Sequence, residues 1–483
     1  MDSFPKSKIY FRADGNTKIG LGHITRSLAL ADMLKEYFDI WVMIQQPSRE
    51  VIKQIHEVTP NIIELSPSEN YLEEARFIAE KYLTGEEIVV LDGYNFQTDY
   101  QRIIKSKGVK LVCIDDLHAW HFVADVVINH AGGVKESDYS CEPYTKLCLG
   151  LEYALLRKPF LEAAKQERKI EKIENVFICF GGSDPHNFTE KALNACIEAQ
   201  VFREIHVVVG SAYTHFASLK DLTIQEKNVF LYQNLNAQDL CNVMQKCQVG
   251  IVSASSIAYE CLAVGMYLIV GYYAENQKAI YQGLINKNHI TAIDNYIFFS
   301  FNKETISKQS FLCSKSFQNY FGNTKKITET FLELIVHIRL ANEQDIDLYF
   351  EWANDIEVRR NSINQEPILY NNHCKWFREH LNDESIIFYV GLIKGIPFGQ
   401  IRIDRKGEFN YINYTIDKKF RGIGLGKILI NKTINLHKDF KWVACVKSSN
   451  KPSKKIFERL NFTNKSDEEI NGELYKIYRL ETK

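Results

Sequence analysis

KIYFRADGNTKIGLGHITRSLALA, residues 8–31, decides how the amino-terminal part of the chain folds. KIYFRAD has the short apolar make-up of a buried strand. GNTKIGLGH is a glycine-rich turn, and from there Ile24, Leu28, Ala31 and Leu34 recur at helical spacing. Strand, turn and helix in this order form the repeating unit of a doubly wound α/β sheet, which binds ligands at the carboxyl ends of its strands. Gly20 and Gly22 let a backbone approach a ligand closely. His23 and Arg26 fall at the helix start, where free N–H groups favour phosphate. A helix start also disfavours a positive imidazole, so His23 is expected to be neutral and able to accept a proton. Two other readings stay open for that histidine: a phosphate contact without chemistry, and a plain surface residue. The third glycine of the dinucleotide fingerprint is missing, so NAD is not favoured.

The same alternation continues outward. IWVMIQQ (40–46), IVVLDGY (88–94), KLVCIDD (110–116) and ADVVINH (124–130) read as further buried strands with helical patterns between most of them. The charged stretch 162–175, EAAKQERKIEKIEN, has no core-forming run and reads as a surface connection. A second alternation follows with VFICFGG, EIHVVVG, VFLYQN, QVGIVSA and YLIVGYY, ending in the helical pattern TKKITETFLELI (324–335). After residue 336 the strand-like runs IIFYVGLIKG, PFGQIRIDRK and FNYINYTID crowd together as antiparallel neighbours would. The expected division is 1–162 and 163–335, two Rossmann-like α/β domains, and 336–483, an α+β domain.

Composition narrows the possibilities. The 483 residues carry a formal charge of −1 and are 45% hydrophobic, which gives no footing for nucleic-acid or membrane-surface binding. The start, MDSFPKSKIYFR, lacks a signal peptide's apolar core, and no apolar run reaches the ~18 residues of a membrane span, so a cytoplasmic protein is expected. Eleven cysteines without a C-x-x-C pair read as reduced thiols, not as a metal site.

In the middle part, FGGSD (180–184) is a second strand–glycine turn–helix junction, with Gly182 in the turn and Ser183 or Asp184 as helix cap. SASSIAYE (253–260) runs from a strand through Ser255 and Ser256 into a helix. Small hydroxyl residues at a helix start suit phosphate, and Glu260 one turn in can hold ribose hydroxyls or be a solvated helix residue. ENQ (275–277) puts Asn276 and Gln277 on the same edge. Together with RAD (12–14), GLGHITR (20–26), LDGY (91–94), CIDDL (113–117) and GLEYALLRKPF (150–160), these stretches resemble the UDP-sugar hydrolases of pseudaminic acid biosynthesis, relatives of the two-domain glycosyltransferases. The resemblance spans about residues 8–330, with the motifs in the family's order. It implies a glycosyltransferase-B-like pair of domains. UDP of a UDP-amino-sugar would lie on Gly182, Ser255, Ser256, Glu260, Asn276 and Gln277, and the sugar would face Gly20, Gly22, Arg26 and Tyr94. His23 would activate or position a water that attacks the anomeric carbon with inversion. Asp14 would orient His23 or the substrate, or merely cap its loop. No metal is implied. A glycosyltransferase on the same fold, a hydrolase for the legionaminic-type precursor, and a nucleotide-sugar-binding regulator without turnover are the alternatives.

TIDKKFRGIGLGKILI (415–430) is a strand, a turn with Arg421, Gly422, Gly424 and Gly426, and a helix carrying Lys427. Successive N–H groups in such a turn cradle a pyrophosphate. With VKSSNKPSKKIFERLNF (446–462), which holds Asn450 and Ser453, it resembles the GCN5-related N-acetyltransferases over about residues 337–480. The resemblance implies acetyl-CoA as co-substrate, held by these residues and by Ile416, with the strand around Tyr414–Ile416 orienting the acetyl carbonyl. The domain opening, EWANDIEVRRNSIN (351–364) and HCKWF (373–377), resembles the subgroup that acetylates amino sugars or protein amino termini, and fusion to a hydrolase-like region makes the 4-amino precursor of the hydrolase substrate the expected acceptor. Many members of that family place a tyrosine near position 457 to protonate the leaving thiolate. Phe457 stands here, so another group must serve. His373 and Glu351 are the candidate bases.

Overall fold

The computed structural model describes residues 5–15, 21–285, 290–298 and 323–480. Gly20 lies outside the described residues. The chain divides into two compact units, Lys6–Lys326 and Ile327–Lys483.

The first unit holds two parallel sheets. Strands β1 (Ser7–Ala13), β2 (Phe38–Gln45), β3 (Ile62–Leu65), β4 (Ile88–Asp92) and β5 (Lys110–Ile114) are joined by β7 (Val126–Asn129) and β9 (Lys146–Leu149) in the order β3-β2-β1-β4-β5-β7-β9. Two short strands, β6 (His121–Phe122) and β8 (Ser140–Cys141), pair beside it. All five residues of β4 are buried, as expected of a strand covered on both faces. The order reverses between β1 and β4, so the crevice at their carboxyl ends is the topological switch point. Ala13 and Asp92 share the last rung of that pair.

The second sheet comprises β10 (Asn175–Cys179), β11 (Glu204–Val209), β12 (Val229–Gln233), β13 (Val249–Ser253), β14 (Tyr267–Tyr272) and β15 (Ile290–Asn295). Its order is β12-β11-β10-β13-β14-β15, with the switch between β10 and β13. The charged connection is coil over most of its length, but it is not purely a surface strap: Ile170 and Ile173 pack on the core of this second sheet. The two halves meet through close backbone approach. Gly133 N–H donates to Ala279 O at 3.0 Å, and a methyl on Gly283 would stand 2.4 Å from Gly132 Cα.

The second unit is one mixed sheet. Strands β16 (Val336–Leu340), β17 (Ile386–Ile393), β18 (Ile396–Lys406), β19 (Phe409–Ile416), β20 (Lys441–Lys447), β21 (Thr463–Ile470) and β22 (Glu473–Leu480) run in the order β16-β17-β18-β19-β20-β22-β21. Every neighbouring pair is antiparallel except β19–β20, which is parallel and bonded over only Phe409–Tyr411 against Lys441–Val443. The chain is thus two Rossmann-like parallel sheets followed by a mixed α+β domain. Among the described residues every cysteine is a free thiol, and no helix is long and apolar enough to cross a membrane.

Candidate functional site

The first switch point brings His23 onto Asp92. Helix Gly22–Leu34 buries Ile24, Leu28, Leu30 and Leu34, which fixes its first turn at the end of the sheet. His23 is 8% exposed, and its Nδ1 lies 2.7 Å from Oδ1 of the wholly buried Asp92. Arg26 donates to the same carboxylate from Nε (2.8 Å to Oδ2) and Nη2 (2.6 Å to Oδ1), and Ser27 Oγ donates to Oδ2 at 3.0 Å. Burial works to raise the Asp92 carboxyl, but the Arg26 charge and His23 outweigh it and hold it at about 2. A carboxylate only accepts, so the short contact requires a hydrogen on Nδ1 and leaves the Nε2 lone pair free. Arg26 Nη2 also lies 3.0 Å from Nδ1, but Asp92 is its closer acceptor.

From Arg26 the network crosses to the second half. Arg26 Nη1 donates to Asp116 Oδ2 at 2.9 Å, Tyr94 OH donates to the same oxygen at 3.3 Å, and Asn276 Nδ2 donates to Tyr94 OH at 2.9 Å. The Tyr94 ring meets His23 edge-on at 4.7 Å. Arg26, Tyr94, Asp116 and Trp120 line one cavity. Of the cavity's lining, Asp116 Oδ1 and Trp120 Nε1 are buried without a partner among the described residues, as are His118 Nδ1 and His130 Nδ1 close by in sequence. Among the described residues, a methyl on Gly22 would meet nothing within 4 Å.

Asp14 does not orient His23. It is held by Arg12 Nη1 (2.5 Å) and the Gln45 N–H (3.0 Å), inside a buried cluster in which Arg12 also clamps Glu74 through two 2.8 Å bonds. The carboxylate at the imidazole is Asp92, contributed by the neighbouring strand instead of the histidine's own loop.

At the second switch point, Gly181 takes a left-handed φ of 92°, and a methyl on Gly182 would meet nothing within 4 Å among the described residues. Asp184, not Ser183, caps the next helix, accepting from Phe188 N and Thr189 N. Helix Ser256–Ala263 starts at Ser255 without a side-chain cap, and Ser255 Oγ lies 3.2 Å from Ser253 Oγ. Glu260 is no solvated helix residue. It is 5% exposed and takes Arg157 Nε at 2.7 Å and Nη2 at 2.8 Å. That pair holds Arg157 above its usual range against its own burial. Gln277 accepts the Tyr273 N–H and is buried, which leaves Asn276 as the residue of ENQ that projects toward the first half.

In the second unit, Gly422 and Gly424 adopt φ values of 90° and 97°, which L side chains rarely do, and helix Leu425–Leu436 begins immediately after. The two cations expected to meet a pyrophosphate are already paired. Arg421 binds Asp355 and Glu357, each at 2.7 Å, and Ile416 O at 2.9 Å, and Lys427 binds Glu329 at 3.0 Å. Gly426 packs against Ile456, Tyr414 and Ile416. Asn450 Oδ1 caps helix Lys451–Arg459 by accepting the Ser453 N–H, and Ser453 Oγ lies 2.8 Å from Tyr414 OH. His373 is buried, and its Nε2 donates to Ile346 O at 2.9 Å, which ties the ring to the interior of the domain. Glu351 is exposed. Asp92, Asp116 and Glu329 were not singled out from the sequence. A carboxylate closing the strand beside β1, in LDGY, was the available signal for Asp92. Among the described residues no group of three or more His, Cys, Asp or Glu is placed to hold a metal ion.

Residues 340–462 match the acetyltransferase (GNAT) family, so this part of the chain is a GNAT acetyltransferase domain. Over 285 residues the chain is 29% identical to the UDP-2,4-diacetamido-2,4,6-trideoxy-beta-L-altropyranose hydrolase of Campylobacter jejuni, covering 58% of this chain and 97% of that protein. Over 272 residues it is 25% identical to the spore coat polysaccharide biosynthesis protein SpsG of Bacillus subtilis, covering 55% and 78%. An uncharacterized protein of Methanocaldococcus jannaschii is 25% identical over 97% of this chain and 99% of its own length. A solved N-acetyltransferase from Staphylococcus aureus overlays on 31% of this chain and 99% of its own, with 19% identity and a TM-score of 0.27. The amino-terminal region is therefore a distant relative of the UDP-sugar hydrolase and of SpsG.

Proposed function

We propose that the first unit hydrolyses a UDP-linked 2,4-diacetamido-2,4,6-trideoxy sugar of the altrose type to free sugar and UDP, and that the GNAT domain acetylates the 4-amino group of its precursor with acetyl-CoA. The two would be successive steps of pseudaminic acid biosynthesis, on three domains divided as 1–162, 163–335 and 336–483, with the Ile327–Ile335 part of helix Thr324–Ile335 falling in the second compact unit. The observation that carries the reading is the hydrogen-bonded line His23–Asp92–Arg26–Asp116–Tyr94–Asn276, which runs from a free imidazole nitrogen at one switch point to the loop beside the other.

In this reading the attacking water gives its proton to His23 Nε2 as its oxygen bonds to the anomeric carbon on the face opposite the departing phosphate. The C–O bond to UDP breaks and the configuration inverts. Asp92 stabilises the imidazolium as it forms and keeps the ring in the required tautomer. The charge arriving on UDP is met by the N–H groups at the start of helix Ser256–Ala263 and by the Ser255 and Ser256 hydroxyls. In the GNAT domain the thioester lies along the Tyr414–Ile416 segment and the pyrophosphate on the Gly422–Lys427 turn. With the Arg421 guanidinium tied to Asp355 and Glu357, backbone N–H groups are the main donors there.

A test uses the intact chain, the UDP-linked sugar and water enriched in oxygen-18, with mass spectrometry of the products. Hydrolysis puts the label on the anomeric oxygen of the free sugar. A glycosyltransferase would leave water unused until an acceptor alcohol is supplied, and a nucleotide-sugar-binding regulator would bind UDP without turnover. Supplying the legionaminic-type isomer in parallel decides the sugar. An acetyl-CoA-dependent mass gain on the UDP-linked 4-amino sugar tests the second activity.

A further inference from the structure

The parallel pair β19–β20 separates after three rungs, at Tyr411 and Val443, while both strands continue, to Ile416 and Lys447. A wedge therefore opens between them, walled by the first turns of helices Leu425–Leu436 and Lys451–Arg459. Tyr414 lies on the wedge segment of β19. Its ring rests on Gly426, where an added methyl would come within 3.2 Å of Cε2, and it meets Phe457 edge-on at 6.0 Å. Its hydroxyl spans the wedge to Ser453 Oγ at 2.8 Å. Lys447 Nζ is committed to Glu473 at 2.7 Å and Lys454 Nζ to Ser448 O at 2.6 Å. Phe457, 2% exposed, offers no proton.

We propose that Tyr414 is the acid of the acetyl transfer, donating its phenolic proton to the thiolate that leaves acetyl-CoA, with Ser453 holding the hydroxyl in line. The proposal rests on the acetyltransferase reading of this domain. The neutral amine nitrogen bonds to the thioester carbonyl carbon, the carbon–sulfur bond breaks, and its electron pair stays on sulfur. Sulfur takes the proton of Tyr414, and the proton lost by the acylated nitrogen restores the phenol through the Ser453 hydroxyl. Burial raises the phenol above its usual range, so it stands protonated before the step.

The test compares wild type, Tyr414→Phe and Ser453→Ala in the full chain, with thermal melts to verify folding. Acetyl-CoA binding is measured by calorimetry. Thiol release is followed with the UDP-linked 4-amino sugar and, separately, with hydroxylamine, a small nucleophile that does not depend on the sugar's identity. Tyr414→Phe is expected to lower kcat about 100-fold, with KM for acetyl-CoA moving by no more than about threefold, and to abolish the solvent deuterium effect on kcat. Ser453→Ala keeps the phenol and loses less. A folded Tyr414→Phe protein with wild-type kcat and isotope effect overturns the role of Tyr414 alone. A wild type that fails to bind acetyl-CoA, or that binds it and releases thiol with neither nucleophile above the solution rate, overturns the acetyltransferase reading and this role together.

Discussion

Asp92→Asn isolates what the buried carboxylate does for His23. The replacement keeps the size and leaves an oxygen for the Nδ1–H, but it removes the charge that faces the imidazolium in the transition state. The bond replaced is 2.7 Å long, from a side chain with no solvent exposure. Hydrogen bonds to charged groups contribute about 1.5–3 kcal/mol, which at about 1.4 kcal/mol per factor of ten is a loss of about 10- to 150-fold in kcat. KM should move little, because the charge on His23 develops only as the water is deprotonated. Arg26 retains Asp116 at 2.9 Å, so the site keeps a counter-ion and the fold should survive with a lowered Tm. The assay is UDP release at saturating UDP-linked sugar, with a melt on the same preparation. In a His23→Ala background the asparagine should cost nothing further, since the two residues act as one unit. A folded Asp92→Asn protein with wild-type kcat, or losses that simply multiply in the double variant, would refute the pairing as the source of catalysis.

Three further outcomes are expected. Burial and Arg26 hold His130 at about 4, below the ~6.5 of an unfolded histidine. Its contribution to stability is therefore complete above about pH 6.5 and lost as pH falls toward 4, up to about 3 kcal/mol. Urea unfolding at pH 7 and pH 5 should show His130→Gln less acid-sensitive than wild type, and equal sensitivity would remove His130 as the cause. Glu329→Gln should tighten acetyl-CoA binding by a few-fold, since it frees Lys427 from a 3.0 Å ion pair that is worth at most about 1 kcal/mol at this exposure. Calorimetry reads the change, and weaker binding would mean that Glu329 supports the turn instead of competing for it. Gly283→Ala puts a methyl 2.4 Å from the Gly132 backbone. Overpacking of that kind costs about 1–3 kcal/mol, and an unchanged Tm would show that the two halves part easily.

The readable parts of the sequence were those where burial dictates composition. Strands such as IVVLD and VGIVS are buried at every position, so a continuous apolar run sufficed to find them. β21, TNKSDEEI, is exposed along nearly its whole length and pairs with β22 at the edge of the sheet, so nothing in its residues announces a strand. β3 and β9 are four residues each, too short for a pattern. At the candidate site, the helix start placed His23 and Arg26 within four residues of each other, a local feature. Their carboxylate comes from a position 69 residues from His23, and only the strand order brings β4 beside β1. Asp14 was the nearer acid in sequence, but it was claimed by Arg12 on its own strand. The same holds for Glu329, 98 residues from Lys427. Proximity along the chain finds loops, whereas charge partners across a sheet follow topology.

The three-rung seam between β19 and β20 has a consequence for how the second unit assembles and lasts. On one side, β17, β18 and β19 form a meander from hairpin neighbours; on the other, β21 and β22 fold back on β20. Each group pairs locally, whereas the parallel seam needs the crossover through helix Leu425–Leu436, so it is expected to form after them. It is also where native-state opening should begin, with backbone exchange fastest on the wedge segments. On the proposed function, with the thioester along the Tyr414–Ile416 segment, the cofactor would touch both sides of the wedge and act as a clasp as well as a reactant. Each tenfold rise in its free concentration above Kd adds about 1.4 kcal/mol to the closed state. The acetyl-CoA supply would then set the domain's lifetime against proteolysis, and a starved cell would shed the enzyme along with its co-substrate.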